Sequence, residues 1–400
     1  MDHIAQRVSR INISQSVAIA ELARRLKAEG RDIINLSIGE PDFDTPEPAR
    51  LAAIQAIESG QTRYTNVAGT PALRQAIIER FQKDYGITYR QDEIIACAGG
   101  KQAIFNAMFA SLDPGDEVII PTPCWVSYPD IVTLAEGRPV FVPCSPAHDF
   151  LLQAEELERS ITPATRWLIL NNPCNPTGAA YSAQDLKPLC EVLLRHPQVW
   201  VLTDDIYDKL VFDGFEFSTI AQVEPCLKER TLTVNGCSKT YAMTGWRLGY
   251  AAGPRALIQA MDKLQGQSTS NPSSISQAAA VAALRSDDAA LQPLIQTYQN
   301  RRDLVIEGLS RIPGISCTAP RGAFYVFPNI RGLLGKSSRG GARLQSDLDF
   351  VNALLQEQGV ATVHGDAYMC PDHFRISYAL DDSSLNKALE RIRDFCAGLS

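Results

Sequence analysis

The sequence has no run of apolar residues long enough to cross a bilayer, and its first residues lack the apolar core of a signal peptide. Basic residues do not predominate either. The 400 residues carry 38 basic and 45 acidic side chains and a net charge of −7, which argues against a nucleic-acid or anionic-membrane partner. These features predict a cytoplasmic protein that binds neither nucleic acid nor membranes.

The ten cysteines and five histidines show none of the spacings that metal sites or disulfide frameworks require. No two cysteines form a Cys-x-x-Cys pair. They lie in apolar runs, as Cys97, Cys124 and Cys237 do, or in loops such as those of Cys174 and Cys370. The pattern predicts buried free thiols in a reducing compartment and no metal.

The length and the 45% hydrophobic content favour two domains. From about residue 49 strand-like and helical stretches alternate, with strand-like runs at 93–98, 117–120, 139–142, 167–170, 199–203, 231–234 and 248–252. This alternation predicts an α/β domain with a mostly parallel sheet. We expect an N-terminal segment at 1–48 that joins the smaller domain, a large domain at 49–295 and a small α+β domain at 296–400.

Two stretches outside that alternation have their own predictions. Residues 16–29 are predicted to form a helix, because Ile19, Leu22 and Leu26 fall on one stripe. The basic glycine-rich loop at 331–343 is expected to be solvated surface, and a lid is the alternative.

Lys239 stands in the run Ser-Lys-Thr-Tyr-Ala-Met-Thr-Gly-Trp-Arg at 238–247, which surrounds it with small residues. A lysine amine can attack an aldehyde, and Arg247, eight positions further on, can fork onto a phosphate. The pair points to a Schiff-base site for pyridoxal phosphate. Because most lysines are solvated surface charges, this interpretation depends on partners elsewhere in the chain.

Polar clusters follow the predicted strands, and in open α/β sheets ligands bind at the carboxyl ends of the strands. Gly99, Gly100 and Lys101 follow one strand and open a helix, whose amides and dipole favour an anion such as phosphate; two glycines also make an ordinary tight turn. Asn175 lies in a loop that two prolines and a glycine restrict. Its amide can serve a phenolate oxygen or make a local Asx turn.

Two further clusters place charge in apolar surroundings. Asp204 follows an apolar strand, where a carboxylate is costly unless it meets a cation such as a protonated pyridine nitrogen, and Tyr207 can reach the same ring. A helix N-cap is the alternative, and it suits the neighbouring Asp205 at least as well. Arg375 lies in an apolar stretch, where its fork suits a substrate carboxylate or an internal acidic partner.

Taken in order, these blocks resemble the class I aminotransferases of fold type I, the pyridoxal-phosphate family that includes aspartate aminotransferase, and most closely its bacterial branch. The resemblance covers essentially the whole chain. It is carried by Gly-Glu-Pro-Asp-Phe-Asp at 39–44, Tyr64 with Gly-Thr-Pro-Ala-Leu-Arg at 69–74, Gly-Gly-Lys-Gln at 99–102, Trp-Val-Ser-Tyr at 125–128, Asn-Pro-Thr-Gly at 175–178, Asp-Asp-Ile-Tyr at 204–207, the Lys239 run, Gly-Ala-Phe-Tyr at 322–325 and Arg-Ile-Ser-Tyr-Ala at 375–379. It implies a large domain with a mostly parallel seven-stranded sheet, pyridoxal phosphate as cofactor, and a homodimer with shared sites.

The resemblance also implies a role for each matching residue. Lys239 would form the Schiff base and move the proton, Asp204 would pair with the pyridinium nitrogen, and Tyr207 would hydrogen-bond the ring oxygen. The other expected cofactor contacts are Gly99, Gly100, Lys101, Trp125, Asn175, Ser238, Arg247 and, from the neighbouring subunit, Tyr64. The expected substrate contacts are Arg375 for the α-carboxylate, with Gly39, Trp125, Asn175, Ser14 and Ser16.

The chain departs from the family where near relatives often carry Lys-Pro-Ser-x-Thr, because it has Asn-Ile-Ser-Gln-Ser at 12–16. Ser14 and Ser16 can still hydrogen-bond the far carboxylate of a substrate, but one charge is missing. A charge-assisted hydrogen bond is worth roughly 1.5–3 kcal/mol, enough to shift preference about tenfold or more.

The expected activity is a ping-pong exchange between an L-amino acid, with aspartate favoured, and a 2-oxo acid, with 2-oxoglutarate favoured. Alternatives are an aromatic or other amino donor, prephenate as acceptor, or a β-lyase on the same scaffold. A regulator without catalysis is disfavoured, because Lys239, Asp204 and Arg375 are all present.

Overall fold

The structure, a computed structural model, describes residues 3–12 and 15–400, except for the side chain of Ser16. Its α-helices are α1 Gln15–Ala28, α2 Glu47–Glu58, α3 Pro71–Tyr85, α4 Gly100–Ser111, α5 Ser127–Leu134, α6 Ala154–Ser160, α7 Ala183–Arg195, α8 Ile220–Val223, α9 Arg255–Ser268, α10 Ser274–Leu284, α11 Gln292–Ser310, α12 Asp347–Gln358 and α13 Asp382–Ala397. Its strands are β1 Ile34–Asn35, β2 Ile94–Cys97, β3 Glu117–Thr122, β4 Arg138–Pro143, β5 Thr165–Asn171, β6 Trp200–Asp204, β7 Thr231–Gly236, β8 Gly249–Ala252, β9 Tyr325–Val326, β10 Val360–Ala361, β11 Val363–His364 and β12 Phe374–Ser377. Within the described ranges, no helix is both long and apolar enough to span a membrane.

The seven-stranded sheet has the order β2-β8-β7-β6-β5-β3-β4. β8 is antiparallel to both its neighbours, whereas the pairings from β7 to β4 are parallel. Its central strands are buried almost throughout, as expected for a parallel sheet covered by helices on both faces. The predicted α/β class with a mostly parallel sheet is confirmed.

The register of this sheet brings several polar strand ends to one edge. Asn171, Asp204 and Val234 are neighbours across β5, β6 and β7. Because β8 runs the opposite way, its beginning rather than its end lies at this edge, with Gly249 beside both Gly236 and Cys97. Residues just before β8 therefore contact residues just after β2. Both groups lie at the same edge of the sheet as the polar strand ends.

The C-terminal part builds a second, smaller core. β11, β12 and β9 form an antiparallel sheet, and β1 pairs in parallel with β10. Helices α11, α12 and α13 pack there around large apolar side chains such as Phe324, Phe350 and Phe374. The β1–β10 pairing joins the N-terminal segment to this part; the exact domain boundaries at 48 and 295 stay a prediction.

The sequence patterns predict helices at 16–29, 47–59, 71–84, 101–111, 291–309, 346–358 and 383–397, which agree with α1, α2, α3, α4, α11, α12 and α13 to within a few residues. The helices α5, α6, α7, α8, α9 and α10 were not predicted. α10 reads Ser-Ile-Ser-Gln-Ala-Ala-Ala-Val-Ala-Ala-Leu, which is apolar nearly all round and therefore shows no stripe. The sequence also predicts a short strand at 32–38, and the structure reduces it to β1, because only two residues pair with β10.

Candidate active site

A cavity of about 520 Å³ lies at the polar edge of the large sheet, beneath the C-terminal part. The predicted residues that line it are Gly39, Gly100, Lys101, Trp125, Asn175, Asp204, Tyr207, Ser238, Lys239, Arg247 and Arg375. Residues from α1 and from the segment after β1 close its other side. The tertiary fold therefore collects most of the predicted site in one place.

Asp204 is the last residue of β6, and its carboxyl group is buried. The phenol of Tyr128 donates a hydrogen bond of 2.7 Å to its Oδ2. Burial raises the pKa of Asp204 to about 6, although this hydrogen bond and the charge of Lys239 oppose the shift. The carboxylate is thus ionised at neutral pH in a buried place that favours a cation.

Asp205 has a different environment from its neighbour. The residues after it form a turn rather than a helix, so the helix-cap alternative is wrong. The Thr203 hydroxyl donates a 2.5 Å hydrogen bond to its Oδ1, and burial raises its pKa to about 8. Asp205 is therefore a buried neutral acid at pH 7.

Tyr207 and Tyr325 form a pair of buried phenols, with hydroxyl oxygens 2.8 Å apart. Burial raises the pKa of the Tyr207 phenol, and it raises that of Tyr325 to about 12. Both groups keep their protons at neutral pH. Since one proton serves the bond between them, the second remains for another acceptor in the cavity.

Arg375 is buried and is held by neutral oxygens. Its Nη1 donates to Asn175 Oδ1 at 3.1 Å, and its Nη2 donates to the Ser37 carbonyl oxygen. No acidic side chain of the described chain pairs with it, and its buried Nε has no hydrogen-bond partner there. The internal ion pair is therefore wrong, and the guanidinium keeps its capacity for an anion.

The loop around Asn175 is held by another residue. Asn171 Oδ1 accepts a 2.7 Å hydrogen bond from the Asn175 backbone amide. The Asn175 side chain instead reaches Arg375, so the Asx-turn alternative for Asn175 is wrong.

Lys239 follows β7 and points back to the segment after β1. Its Nζ donates a 2.5 Å hydrogen bond to the Gly39 carbonyl oxygen. Burial lowers the pKa of this amine to about 8; Glu40 opposes the shift, while Arg375 and Arg247 add to it. With that pKa about a tenth of the amine is neutral at pH 7, so the amine can act as a nucleophile.

Gly99 and Arg247 meet at the beginning of α4. A Cβ on Gly99 would lie 2.5 Å from Arg247 Nη2, and one on Gly249 would overlap the backbone of Gly100. Only glycine allows this close approach. Gly99 also makes the tight turn that the sequence offered as the alternative, because its φ of 93° is one that glycine adopts readily. The helix amides and the guanidinium together make a place for an anion.

Lys101 and Trp125 complete this corner. The Lys101 Nζ lies 4.8 Å from the Trp125 ring centroid, and burial with the nearby charge of Arg247 lowers the Lys101 pKa. The Trp125 ring lines the cavity and packs edge-on against Tyr128.

Comparison with known proteins decides the family. The family model "Aminotransferase class I and II" matches residues 31–392. The chain belongs to this family. It is an aminotransferase, and members of the family depend on pyridoxal phosphate.

Individual relatives agree with that assignment. This aminotransferase is 55% identical to the aspartate aminotransferase of Rhizobium meliloti (strain 1021). The alignment spans 396 residues, which are 99% of this chain and 97% of the relative. It is 52% identical over 400 residues, the whole of both chains, to the aspartate/prephenate aminotransferase of Cereibacter sphaeroides. Its fold matches the crystal structure of the Rhizobium meliloti aspartate aminotransferase with a TM-score of 0.97, at 54% identity and full coverage of both chains. The structure of the Thermus thermophilus aspartate aminotransferase with maleate matches with 0.91, at 39% identity, over 99% of this chain and 100% of that one.

Some predicted residues of the aminotransferase are not in the cavity. Tyr64 is 91% exposed and lies outside it, as expected if it serves a neighbouring subunit. Ser14 and the side chain of Ser16 fall outside the described residues, so their roles stay predictions. The loop at 331–343 contributes none of the residues described as lining the cavity.

No role was predicted for several residues that the structure places at the site. Tyr325 contacts Tyr207 and packs under Arg375, with its ring centroid 4.6 Å from the guanidinium carbon. Tyr128 binds Asp204, and Glu40 accepts a hydrogen bond from the Thr244 hydroxyl. Both tyrosines end blocks that carry the family resemblance, and that position was the available signal.

Proposed function

We propose that this aminotransferase transfers the amino group of an L-amino acid, aspartate above all, to a 2-oxo acid, 2-oxoglutarate above all, by ping-pong exchange on pyridoxal phosphate. One observation carries the proposal: a lysine amine with a lowered pKa shares a cavity with a buried carboxylate and a buried arginine that has no acidic partner in the described chain. The names of the Rhizobium and Cereibacter relatives support aspartate as the donor.

The residues present fit pyridoxal phosphate. Its phosphate suits Arg247 and the amides at Gly99 and Gly100, where a side chain on Gly99 would fill the space. Its ring nitrogen, once protonated, suits the buried carboxylate of Asp204. Tyr207 can donate to its ring oxygen. When bound, the cofactor supplies an aldehyde that accepts the amino group and a ring that withdraws electrons from the substrate Cα.

The chain itself performs three tasks in this proposal. Lys239 takes the proton from the substrate Cα and returns it, for which a pKa near neutrality is suited. Asp204 keeps a proton on the ring nitrogen by charge pairing. Arg375 binds the α-carboxylate through its free Nε side and so fixes the Cα relative to the Lys239 amine.

We further propose a cytoplasmic homodimer with shared sites. Tyr64 is almost fully exposed, and α2 exposes Leu51, Ile54 and Ile57, each to more than half. Exposed apolar side chains of this kind are typical of an interface. The ten cysteines, all within the described ranges, are free, as in a reducing compartment.

The half-reaction tests the proposal. L-aspartate, L-glutamate and a panel of aromatic and aliphatic amino acids are added separately to the holoenzyme, and loss of the cofactor absorption band is followed. Fast conversion by aspartate and glutamate supports the proposal. Slow conversion by aspartate with fast conversion by an apolar or aromatic donor would contradict aspartate specificity, and no conversion by any donor would contradict transamination.

A second candidate keeps the chemistry but uses an aromatic donor or prephenate as acceptor. It is favoured by Val17 and Ile38, which line the cavity yet remain 51% and 41% exposed, an apolar rim that suits a ring. Prephenate is therefore added as an acceptor after the first half-reaction. Release of pyruvate from a sulfur amino acid would instead reveal a β-lyase.

A further inference from the structure

A second cavity, of about 220 Å³, lies between the part of the chain that holds the large sheet and the C-terminal part. It is lined by residues from 149–150, from the loop at 177–180 and from the segment 318–327. Among the described residues, none lines both this cavity and the active-site cavity. The second cavity is smaller than the roughly 300–1,000 Å³ of typical ligand pockets, so it suits a single small molecule.

The lining of the second cavity is apolar except for two threonines and one pair of opposite charges. Phe150 and Phe327 face each other edge-on, with ring centroids 6.0 Å apart, and the buried Ala180 lies in the same lining. The charges are those of Asp149 and Arg321. The cavity therefore offers an apolar wall beside one carboxylate and one guanidinium.

The two charged groups keep hydrogen-bonding capacity for a ligand. Arg321 lies 3.8 Å from both Asp149 and Asp185, which is too far for a hydrogen bond. Asp185 already accepts hydrogen bonds from the backbone amide and hydroxyl of Ser182. Within the described ranges, the side chains of Arg321 and Asp149 form no hydrogen bond. Both can therefore bind a charged group in the cavity.

The backbone at Asp149 and Phe150 has an uncommon conformation. Their φ angles are 53° and 58°, so two successive residues occupy the left-handed region, where a bulky aromatic residue is an outlier. Such conformations persist where the surrounding structure maintains them, and they cluster at ligand sites. Here the two strained residues contribute a carboxylate and a ring to the same cavity.

We propose that the second cavity binds an α-amino acid with a compact apolar side chain as an effector. Arg321 binds its carboxylate with two parallel hydrogen bonds, and Asp149 binds its ammonium group. Phe150 and Phe327 pack on its side chain. A zwitterion pairs both charges of the lining, whereas a simple acid or amine leaves one of them without a partner as water is displaced. This amino acid is not a reactant, because it lies outside the active-site cavity.

The same two segments of the chain line both cavities. In the loop after β5, Asn175 lines the active-site cavity and Thr177 lines the second one. In the segment around β9, Tyr325 lines the active-site cavity and Phe327 lines the second one. A ligand in the second cavity therefore contacts both segments that shape the active site.

These segments are joined in the arrangement that the structure shows. The Gly178 carbonyl oxygen accepts hydrogen bonds from the backbone amides of Arg321, at 3.1 Å, and Gly322, at 2.9 Å. In the same arrangement Arg375 contacts Asn175 at 3.1 Å. A ligand that bridges the segments stabilises this arrangement and so strengthens carboxylate binding by Arg375. The coupling is reciprocal, so a carboxylate in the active site strengthens binding in the second cavity.

The test measures binding of L-leucine by titration calorimetry to protein loaded with pyridoxamine phosphate. This form already carries the amino group and cannot exchange it with an amino acid. Arg321→Gln removes the cation of the second cavity, and Thr318→Phe fills that cavity from an exposed position. Arg311→Gln is the matched control, because Arg311 is exposed, pairs with Glu307 and lines neither cavity. Urea unfolding checks that each variant is folded.

Arg321→Gln and Thr318→Phe are each expected to weaken leucine binding about tenfold or more, and Arg311→Gln less than about twofold. 4-Methylpentanoate and 3-methylbutylamine, which each lack one charge of leucine, should bind about tenfold more weakly than leucine. Saturating succinate should strengthen leucine binding about fivefold or more, and leucine should strengthen succinate binding by the same factor. In Arg321→Gln, leucine should leave succinate binding unchanged.

Several results would overturn the proposal. Loss of leucine binding in the presence of succinate would place leucine in the active-site cavity instead. Absence of leucine binding to the wild type, or equal binding to Arg321→Gln and Arg311→Gln, would remove the site. Binding of 4-methylpentanoate as tight as that of leucine would contradict recognition of a zwitterion, and succinate binding that leucine leaves unchanged in the wild type would contradict the role as an effector.

Discussion

The Lys239 amine donates a 2.5 Å hydrogen bond to the carbonyl oxygen of Gly39, a residue 200 positions earlier in the chain. The bond links the loop after β7 to the segment after β1. It anchors the amine, whose pKa burial lowers to about 8, in the lining of the cavity. The first two predictions depend on this arrangement.

Lys239→Ala should abolish transamination, with a loss of at least about 10³-fold, because both the nucleophile and the proton carrier are removed. The variant should still hold pyridoxal phosphate without a covalent bond, through Asp204 and Arg247. Activity is measured by coupled assay, and bound cofactor by absorption after gel filtration. Lys263→Ala, an exposed lysine of α9, is the control and should behave as wild type. Robust turnover by Lys239→Ala would remove this residue from its proposed role.

The attachment of pyridoxal phosphate to the cofactor-free protein should follow the neutral fraction of Lys239. With a pKa of about 8, the rate should rise about fivefold from pH 7 to pH 8 and less than about twofold from pH 8 to pH 9. With an ordinary lysine the rate would rise about tenfold for each pH unit over this range. Stopped-flow absorption measures the rate, and division by the rate constant for the neutral form of free Nα-acetyl-lysine at each pH removes the ionisation of the cofactor. A constant tenfold rise would show that the amine is not perturbed.

Asp204→Asn and Asp205→Asn should differ sharply although the two residues are adjacent. At pH 7 Asp204, with a pKa of about 6, is ionised, and its loss removes the partner of a protonated ring nitrogen. Turnover should fall by about 10² or more. Asp205, with a pKa of about 8, is already neutral at that pH, so an isosteric amide should keep more than about half of the activity. Steady-state assays at pH 7 compare the two variants, and similar losses in both would contradict the assignment.

Arg375→Leu should raise KM about 100-fold or more for every α-amino acid, because the α-carboxylate loses its fork of donors. The substitution also strips Asn175 Oδ1 and the Ser37 carbonyl of a donor, which costs roughly 1–3 kcal/mol of folding stability for each group left unpaired. Arg375→Lys keeps the positive charge but lacks the planar fork of donors. Its KM should therefore lie between those of the wild type and Arg375→Leu. KM values for aspartate and alanine, with urea unfolding as the control for stability, check this prediction. An unchanged KM in Arg375→Leu would move the carboxylate site elsewhere.

Mixed dimers test whether Tyr64 serves the neighbouring site. Tyr64→Ala and Lys239→Ala homodimers should each be impaired, since each of their sites lacks one group. In a mixed dimer one site would carry both defects and the other neither, so about half of the wild-type activity per dimer should return. Purification with two different affinity tags isolates the mixed species. If Tyr64 acts within its own subunit, no activity is recovered.

The sequence alone determined the parts of the site that are local in the chain. Apolar runs that end in polar clusters identified β2, β5, β6 and β7, and the carboxyl ends of parallel strands must meet at one edge. Gly99 before α4, Asp204 at the end of β6 and Lys239 after β7 follow from this rule together with the family resemblance. The stripe of Ile19, Leu22 and Leu26 likewise predicted α1.

Only the tertiary structure decided which residues face one another across long separations. The pairs Lys239–Gly39, Arg375–Asn175 and Tyr207–Tyr325 join residues 118 to 200 positions apart, and their contact depends on how the C-terminal part packs over the sheet. The difference between Asp204 and Asp205 has the same origin. Asp204 ends β6 and Asp205 follows it directly. Because successive residues of an extended chain point to opposite faces, the Asp204 carboxyl group lines the cavity, whereas Asp205 is buried and does not line it.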